Sequence, residues 1–299
     1  MRAIKDCTAG SVGGILQVLV GQPFDTVKVK LQTAIPVGVA SSIRPPGSPL
    51  LLAFRGVSQD GWTAFYRGTT TPLLGVGMCV SIQFLVLESM KRTLAQRNLN
   101  HGLPAAPLPA SQLFLAGATA GLANSVVSGP VEHIRTRLQI QSNTNRIYQG
   151  PWDAIKKIYS SHGLRGLYKA QGVTALREVQ GYGIYFAAYE SLIQRECSRS
   201  GRAREDIGTL EVCAYGAVAG YAMWTSMYPI DLVKSRLQTD GWTLGKDRRF
   251  SSALDCIRKI WAEAGFRGFW KGLTPCLLRA APANAVTFVG FEWAARQLN

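Results

Sequence analysis

Arg177 and Glu178 stand side by side in residues 170–189, a stretch that carries no other charge. Ionisable groups in an apolar span are costly and tend to mark a solute or ion pathway. A guanidinium can grip a carboxylate through two parallel bonds while a neighbouring carboxylate takes an ammonium, so this pair suits a zwitterion. A purely structural ion pair is the competing reading. Arg279 is the sole charge in the equally apolar residues 272–291. Arg177 lies 13 residues before Glu190, and Arg279 lies 13 residues before Glu292. Equal offsets mean equal depth, about 20 Å from those acids at helical rise. The same offset from Glu88 falls on Gly75, with Val76 beside it and Cys79 one turn on. Trp224, five residues before Pro229, offers either a π face for a cationic head or an ordinary packing or interface ring.

A second set of charges recurs three times. The copies run Pro23-Phe24-Asp25-Thr26-Val27-Lys28-Val29-Lys30-Leu31-Gln32, Pro130-Val131-Glu132-His133-Ile134-Arg135-Thr136-Arg137-Leu138-Gln139 and Pro229-Ile230-Asp231-Leu232-Val233-Lys234-Ser235-Arg236-Leu237-Gln238. The offsets are 107 and 99 residues, so the 299-residue chain is three copies of one unit. A proline inside a helix removes a backbone bond and bends the rod, so Pro23, Pro130 and Pro229 can bring three helices together at one end of a cavity. Beyond each bend an acid and a cation three residues later lie on neighbouring helix faces. Around a threefold ring each acid can meet the next cation: Asp25 with Arg135, Glu132 with Lys234, Asp231 with Lys28. Closing the ring pairs six charges that are costly when isolated in a low-dielectric site. Three weak intrahelical surface pairs are the alternative.

The elements that must carry these groups can be placed from charge-free runs. Residues 7–24, 68–87, 102–131 and 212–230 contain no Asp, Glu, Lys or Arg, and residues 170–189 and 272–291 complete six spans near the 20 residues a bilayer core needs. The spans divide the chain into 1–100, 101–205 and 206–299, three repeats forming one transmembrane domain. Gly10 and Gly14, Gly117 and Gly121, and Gly216 and Gly220 repeat a Gly-x-x-x-Gly spacing that permits close helix approach in lipid. The connections hold another triplicate: Asp60-Gly61 with Tyr66-Arg67-Gly68, His162-Gly163 with Tyr168-Lys169-Ala170, and Ala264-Gly265 with Trp270-Lys271-Gly272. Amphipathic stretches before the second and third copies suit short helices along an anionic surface. The aromatic-cation-glycine steps either present backbone N–H groups to a lipid phosphate or are plain helix ends. Residues 35–49, rich in proline, read as a loop insertion.

Together, the triplicated proline motif and the aromatic-cation-glycine element resemble the mitochondrial carrier family, over essentially the whole chain. The resemblance implies an all-α membrane protein of six transmembrane helices in three pseudo-threefold-related repeats, with short matrix surface helices. It further implies a multi-pass inner-membrane carrier with both termini on the cytosolic side, a central solute site, alternating access and bound cardiolipin. Gln32, Gln139 and Gln238 resemble the family's glutamine braces. Glu88, Glu190 and Glu292 resemble its second, cytosolic network, but only Glu88 has its cation, Lys91. Ile193 and Ala295 occupy the other two cation positions, which predicts a weaker cytosolic gate. Gly75, Val76 and Cys79, Arg177 with Glu178, and Arg279 match the family's three contact points. An Arg followed by an acid at the second point, with Trp224, resembles carriers of amino acids and of carnitine. Family members that carry ornithine and arginine have an acid near the position of Cys79, which favours here an amino acid with a neutral or acidic side chain.

Composition excludes other classes. Apolar residues are 47% against 17% charged, low in charge for a soluble protein. A net charge of +15 suits anionic lipid or solute, and no zinc spacing or aromatic RNA-binding motif points to nucleic acid. The six cysteines include no Cys-x-x-Cys pair, so neither a disulfide framework nor a metal site is expected. No nucleotide loop or catalytic triad appears. The expectation is a transporter without cofactor, acting as a monomer on a zwitterionic solute by antiport, and lacking a cleavable presequence. Carnitine or a basic amino acid is the alternative solute, and a membrane-peripheral helical scaffold for acidic partners is the alternative class.

Overall fold

The computed structural model describes residues 2–33, 49–104, 107–141, 146–241 and 248–279, with 282, 283, 286 and 290. All regular structure among them is helical. The helices are α1 (Arg2–Thr33), α2 (Pro49–Ser58), α3 (Thr70–Asn100), α4 (Ala110–Ile140), α5 (Pro151–Leu167), α6 (Gln171–Ser200), α7 (Thr209–Thr239) and α8 (Ala253–Ala264), with 3-10 turns at Trp62–Tyr66, Arg204–Asp206 and Phe266–Trp270. Residues 273–279, in the sixth expected span, are also helical.

Each of α1, α3, α4, α6 and α7 has 30 to 32 residues, about 45 Å of rod against a hydrocarbon core of about 30 Å. Only α4 is apolar enough to be read as membrane-crossing from hydropathy alone among the described residues, with a mean hydropathy of 1.2 over 18 residues. The others carry Gly, Ser and Thr in their spans and run on into charged ends, which dilutes the average. Helices α1, α4 and α7 continue through Pro23, Pro130 and Pro229, so each charged motif belongs to the same rod as the span before it.

The chain packs as two compact units. One comprises residues 1–75, 130–169 and 232–299, and the other residues 76–129 and 170–231. The repeat is legible in the first unit's core. Ile158 on α5 and Ile260 on α8, each five residues before the glycine of its connection, are buried, as is Val57 on α2, four residues before Gly61. Val57 packs with Val27, Leu31 and Phe65, and Ile158 packs with Ile134, Leu138, Tyr148 and Ala154. In α8, Ser252 caps the N-terminus by accepting the Asp255 amide at 3.1 Å, and the Asp255 carboxylate accepts the Ser251 amide in return. Trp62, Trp152 and Trp261 lie on the exposed faces of these connections. The second unit is built around Leu87, Leu94, Leu108, Leu113, Ala116, Ala120 and Phe186.

The glycines of the second triplicate have a backbone reason. Gly61, Gly163 and Gly265 have φ of 87°, 61° and 59° with ψ of 163°, −156° and −157°, a region essentially closed to residues with a Cβ. Gly68 and Gly272 also have positive φ, at 76° and 91°. Their equivalent is Ala170, at φ 60° and ψ 26°, the sole described non-glycine residue with positive φ. It stands at the N-cap of α6.

Of the three Gly-x-x-x-Gly copies, the α4 copy brings backbones together. A Cβ on Gly117 would lie 2.4 Å from the Tyr182 carbonyl oxygen, and one on Gly121 2.4 Å from that of Glu178. A Cβ on Gly14 or Gly220 would meet no described atom within 4 Å, and one on Gly216 only the Tyr185 hydroxyl at 4.0 Å. Close packing through this motif is thus seen, among the described residues, in the α4–α6 pair, where two glycines face a stretch of neighbouring backbone. The side chains of residues 2–11, with Gly10, lie outside the described ones.

Candidate functional site

In the first unit the motif charges of α1 and α4 meet directly. Arg135 Nη2 donates to Asp25 Oδ2 at 2.8 Å and to Gln22 Oε1 at 2.6 Å. Arg279 Nε lies 3.2 Å from the other Asp25 oxygen, Oδ1, so one carboxylate is shared by two guanidinium groups. Gln22, the residue before Pro23, then donates to the Arg67 carbonyl at 2.9 Å. Glu132 of α4 is bonded to Lys234 of α7. Asp231 and Lys28, the third pair expected from the ring, belong to different units. Within its own unit Asp231 has its Oδ1 3.9 Å from Arg177 Nε.

The glutamines after each motif are buried, and their backbone is used as much as their side chains. Arg137 Nε donates to the Gln238 carbonyl, and Arg236 Nε to the Gln32 carbonyl, both at 3.1 Å. Thr136 donates to Gln238 Oε1 at 3.3 Å. Gln139 is buried between these in sequence order. In the second and third copies the second cation, Arg137 or Arg236, therefore serves the end of another motif helix, a role that sequence reading missed, whereas Lys30 lies 3.6 Å from Asp60 of its own repeat.

In the first two aromatic-cation-glycine steps the cation bonds to a carbonyl just beyond a motif helix. Arg67 is buried and bonded to the Gln141 carbonyl just beyond α4, with Asp60 at 3.6 Å. Lys169 is bonded to the Asp240 carbonyl just beyond α7. Each neutralises the negative end of a helix. Burial lowers the Lys169 ammonium to about 8.

The second unit holds the acid-base pair of α6. Arg177 and Glu178 are both buried and bonded to each other. Glu178 also receives Asn124 Nδ2 at 3.4 Å and Ser128 Oγ at 3.3 Å, both from α4. Asn124 and Ser128 are one turn apart on the charge-free part of α4, and that polar spacing was the signal available in the sequence. Glu178 is thus anchored at the α4–α6 contact made possible by Gly121. Gln180 donates to the Ser226 carbonyl at 3.2 Å, linking α6 to α7 near the half-buried Trp224.

The remaining contact-point residues lie on α3. Gly75 is buried, and a Cβ there would come 3.0 Å from Val131 Cγ1. Cys79 is half-buried. The side chain of Val76 and the whole of Glu292 lie outside the described residues.

Ile193 sits where the pattern would place the cation after Glu190, the basis for expecting a weaker cytosolic gate, and cations from outside that position meet the Glu190 carboxylate. Lys91 Nζ donates to Glu190 Oε1 at 3.1 Å, and Arg204 contacts both oxygens, Nη1 to Oε2 at 2.7 Å and Nη2 to Oε1 at 3.1 Å. Lys91 also lies 3.5 Å from Glu88. The reason is that Arg204 comes from the 3-10 turn after α6, which folds back over the helix, rather than from the helix itself. Among the described residues no group of three or more His, Cys, Asp or Glu could hold a metal ion.

Comparison with known proteins places this geometry in context. The family model described as "Mitochondrial carrier protein" matches three times, over residues 1–98, 106–196 and 205–299. The chain is similar to the "Glutamate/glycine mitochondrial carrier ymc1" of Schizosaccharomyces pombe, with 46% identity covering 97% of this chain and 93% of the relative. It is 42% identical to the "Mitochondrial glycine transporter YMC1" of Saccharomyces cerevisiae, covering 99% and 92%. It is 38% identical to the "Mitochondrial basic amino acids transporter" of Homo sapiens, covering 95% and 87%.

Proposed function

The chain belongs to the mitochondrial carrier family, and from that premise we propose that it carries a small zwitterionic amino acid across the mitochondrial inner membrane by alternating access, as an antiporter. The observation that carries the reading is the buried Arg177–Glu178 pair on α6, held by Asn124 and Ser128 beside Asp231. Arg177 meets the solute carboxylate. Glu178 orients that guanidinium, and the negative charge it shares with Asp231 favours the solute ammonium. Relatives named for glycine, and for glutamate with glycine, agree with a solute recognised mainly through these two groups. Arg279 supplies a cation for a side-chain carboxylate, so glutamate fits as well. Nothing at Cys79 would neutralise a side-chain cation. The similarity to a basic amino acids transporter nevertheless makes arginine and lysine the second reading.

Transport then needs two gates. Asp25 with Arg135, Glu132 with Lys234 and Asp231 with Lys28 form the matrix gate, braced by Gln32, Gln139 and Gln238, with Pro23, Pro130 and Pro229 shaping the three helices. Glu88, Lys91, Glu190 and Glu292 form the cytosolic gate. The protein works as a multi-pass monomer of three repeats, 1–100, 101–205 and 206–299, with cardiolipin against the matrix surface helices. The chemistry is binding and release rather than bond making. Uptake into liposomes loaded with unlabelled solute, against a panel of glycine, glutamate, neutral and dibasic amino acids and carnitine, tests this. Glycine or glutamate should exchange and Arg177→Ala should abolish it. Exchange of arginine or carnitine alone, or an Arg177→Ala variant that matches the parent, refutes the solute assignment.

A further inference from the structure

Glu88, Lys91, Glu190 and Arg204, in that order, form an unbroken chain of alternating charge within the second unit. Its members sit on three elements: Glu88 and Lys91 on α3, Glu190 on α6, and Arg204 on the turn Arg204–Asp206 that leads into α7. Burial is uneven along it. The Glu190 side chain is 8% exposed and that of Arg204 56%. The carboxylate therefore bears most of the desolvation cost, and stranding it without a cation is strongly unfavourable. Arg204 meets it with the two-bond fork that holds a carboxylate best.

The turn that delivers Arg204 is fixed in place. Arg202 lies 3.1 Å from Glu196 of α6 and 3.4 Å from Glu211 of α7. Ile207 is buried, and the Glu211 carboxylate accepts the Gly208 amide at 3.1 Å. Arg204 is thus tied to α6 and α7, whereas Lys91 travels with α3. If α3 separates from α6, the four-membered chain divides into two neutral pairs, Glu88 with Lys91 and Glu190 with Arg204. No charge is left alone on either side of the division.

We propose that Arg204 is a positioning residue of the transport cycle, which keeps Glu190 paired when Lys91 withdraws and so lets α3 and α6 part at this end. The inference rests on the alternating-access reading above. It assigns the missing helix cation to a connecting segment that has no counterpart in the repeat motif. Without Arg204, Glu190 depends on Lys91 alone, and the closed arrangement is favoured over the open one.

The test uses the full chain in proteoliposomes, in a background where Cys7, Cys197 and Cys213 are serine. Cys256 is buried and its thiol is pushed up to about 12, and Cys276 is buried, so a membrane-impermeant thiol reagent reports on Cys79. Arg204→Ala should slow exchange about tenfold and slow Cys79 modification in parallel, with Arg204→Lys between it and the parent. Glu190→Gln removes the charge that Arg204 serves, so Arg204→Ala added to Glu190→Gln should have no further effect. Melting of each variant in detergent checks that the fold is intact. Parent-like exchange and labelling in Arg204→Ala, or an equal slowing in the Glu190→Gln background, overturns the role of Arg204. A parent that neither exchanges solute nor is protected at Cys79 by it overturns the transport reading itself, and this role with it.

Discussion

Replacing Gly121 by alanine tests the contact that holds Glu178. The added Cβ would lie 2.4 Å from the Glu178 carbonyl oxygen and 2.7 Å from its carbon, where ordinary contact begins near 3.4 Å. Both partners are backbone, so no side chain can swing away, and α4 and α6 must separate by about 1 Å. Asn124 and Ser128 reach Glu178 at 3.4 and 3.3 Å. That separation breaks both bonds. Overpacking costs about 1–3 kcal/mol and a lost bond to a charged group about 1.5–3 kcal/mol, so a total of roughly 3 kcal/mol or more is expected. At about 2 cal/mol/K per residue, a chain of this length melts about 5 °C lower. Gly220→Ala is the control, since its Cβ meets no described atom within 4 Å, and better helix propensity should raise stability by about 1 kcal/mol. Thermal unfolding in detergent and solute exchange in liposomes read both variants. A Gly121→Ala protein that melts at or above the parent, or two glycine variants that behave alike, refutes the close α4–α6 contact.

Three further outcomes are expected. Reversing one member of the Glu132–Lys234 bond, as Glu132→Lys or Lys234→Glu, should remove most exchange, and the double reversal should recover part of it; a double variant no better than the singles argues against the pair as a gate. Ala170→Gly should relieve left-handed strain of about 1–2 kcal/mol, less the entropy of a freer unfolded chain, and raise the melting temperature by about 1 °C; a fall in melting temperature counts against that backbone conformation. Lys169 loses its proton near 8 when folded and near 10.5 when unfolded, so between those values the unfolded chain binds more protons and stability rises with pH. Lys169→Met should flatten that rise in melting temperature between pH 8 and 10, and an unchanged slope would show that burial does not depress this ammonium.

Periodic features were readable because the same physical requirement occurs three times. The glycine before each connection needs a φ that a Cβ forbids, and the bonds of Asp25 to Arg135 and Glu132 to Lys234 follow from one acid-to-cation spacing repeated on successive helices. What escaped the sequence was aperiodic. Arg204 lies outside the triplicated motifs, and the position 14 residues after Glu88 that corresponds to it holds Gly102, so no internal comparison points to it. The burial of Arg67 against the Gln141 carbonyl depends on where α4 ends, which its aromatic-cation-glycine step does not specify. The Gly-x-x-x-Gly copies share one spacing, yet close contact depends on what faces them, and among the described residues that differs between α4 and α7. Ala170 breaks the glycine pattern at a position whose backbone does not follow the change. Asn124 and Ser128 are ordinary polar residues until α6 brings Glu178 between them.

The connection between α6 and α7 has one more consequence. Arg195, Arg199, Arg202 and Arg204 crowd ten residues, a sequence that a trypsin-like protease would cut readily in an unfolded chain. Here Arg202 and Arg204 are engaged with three glutamates on two helices, and the backbone must peel away from them before it can enter a protease cleft. Digestion at this point therefore clocks the loosening of those bonds, and raising the salt concentration should make the clock run faster.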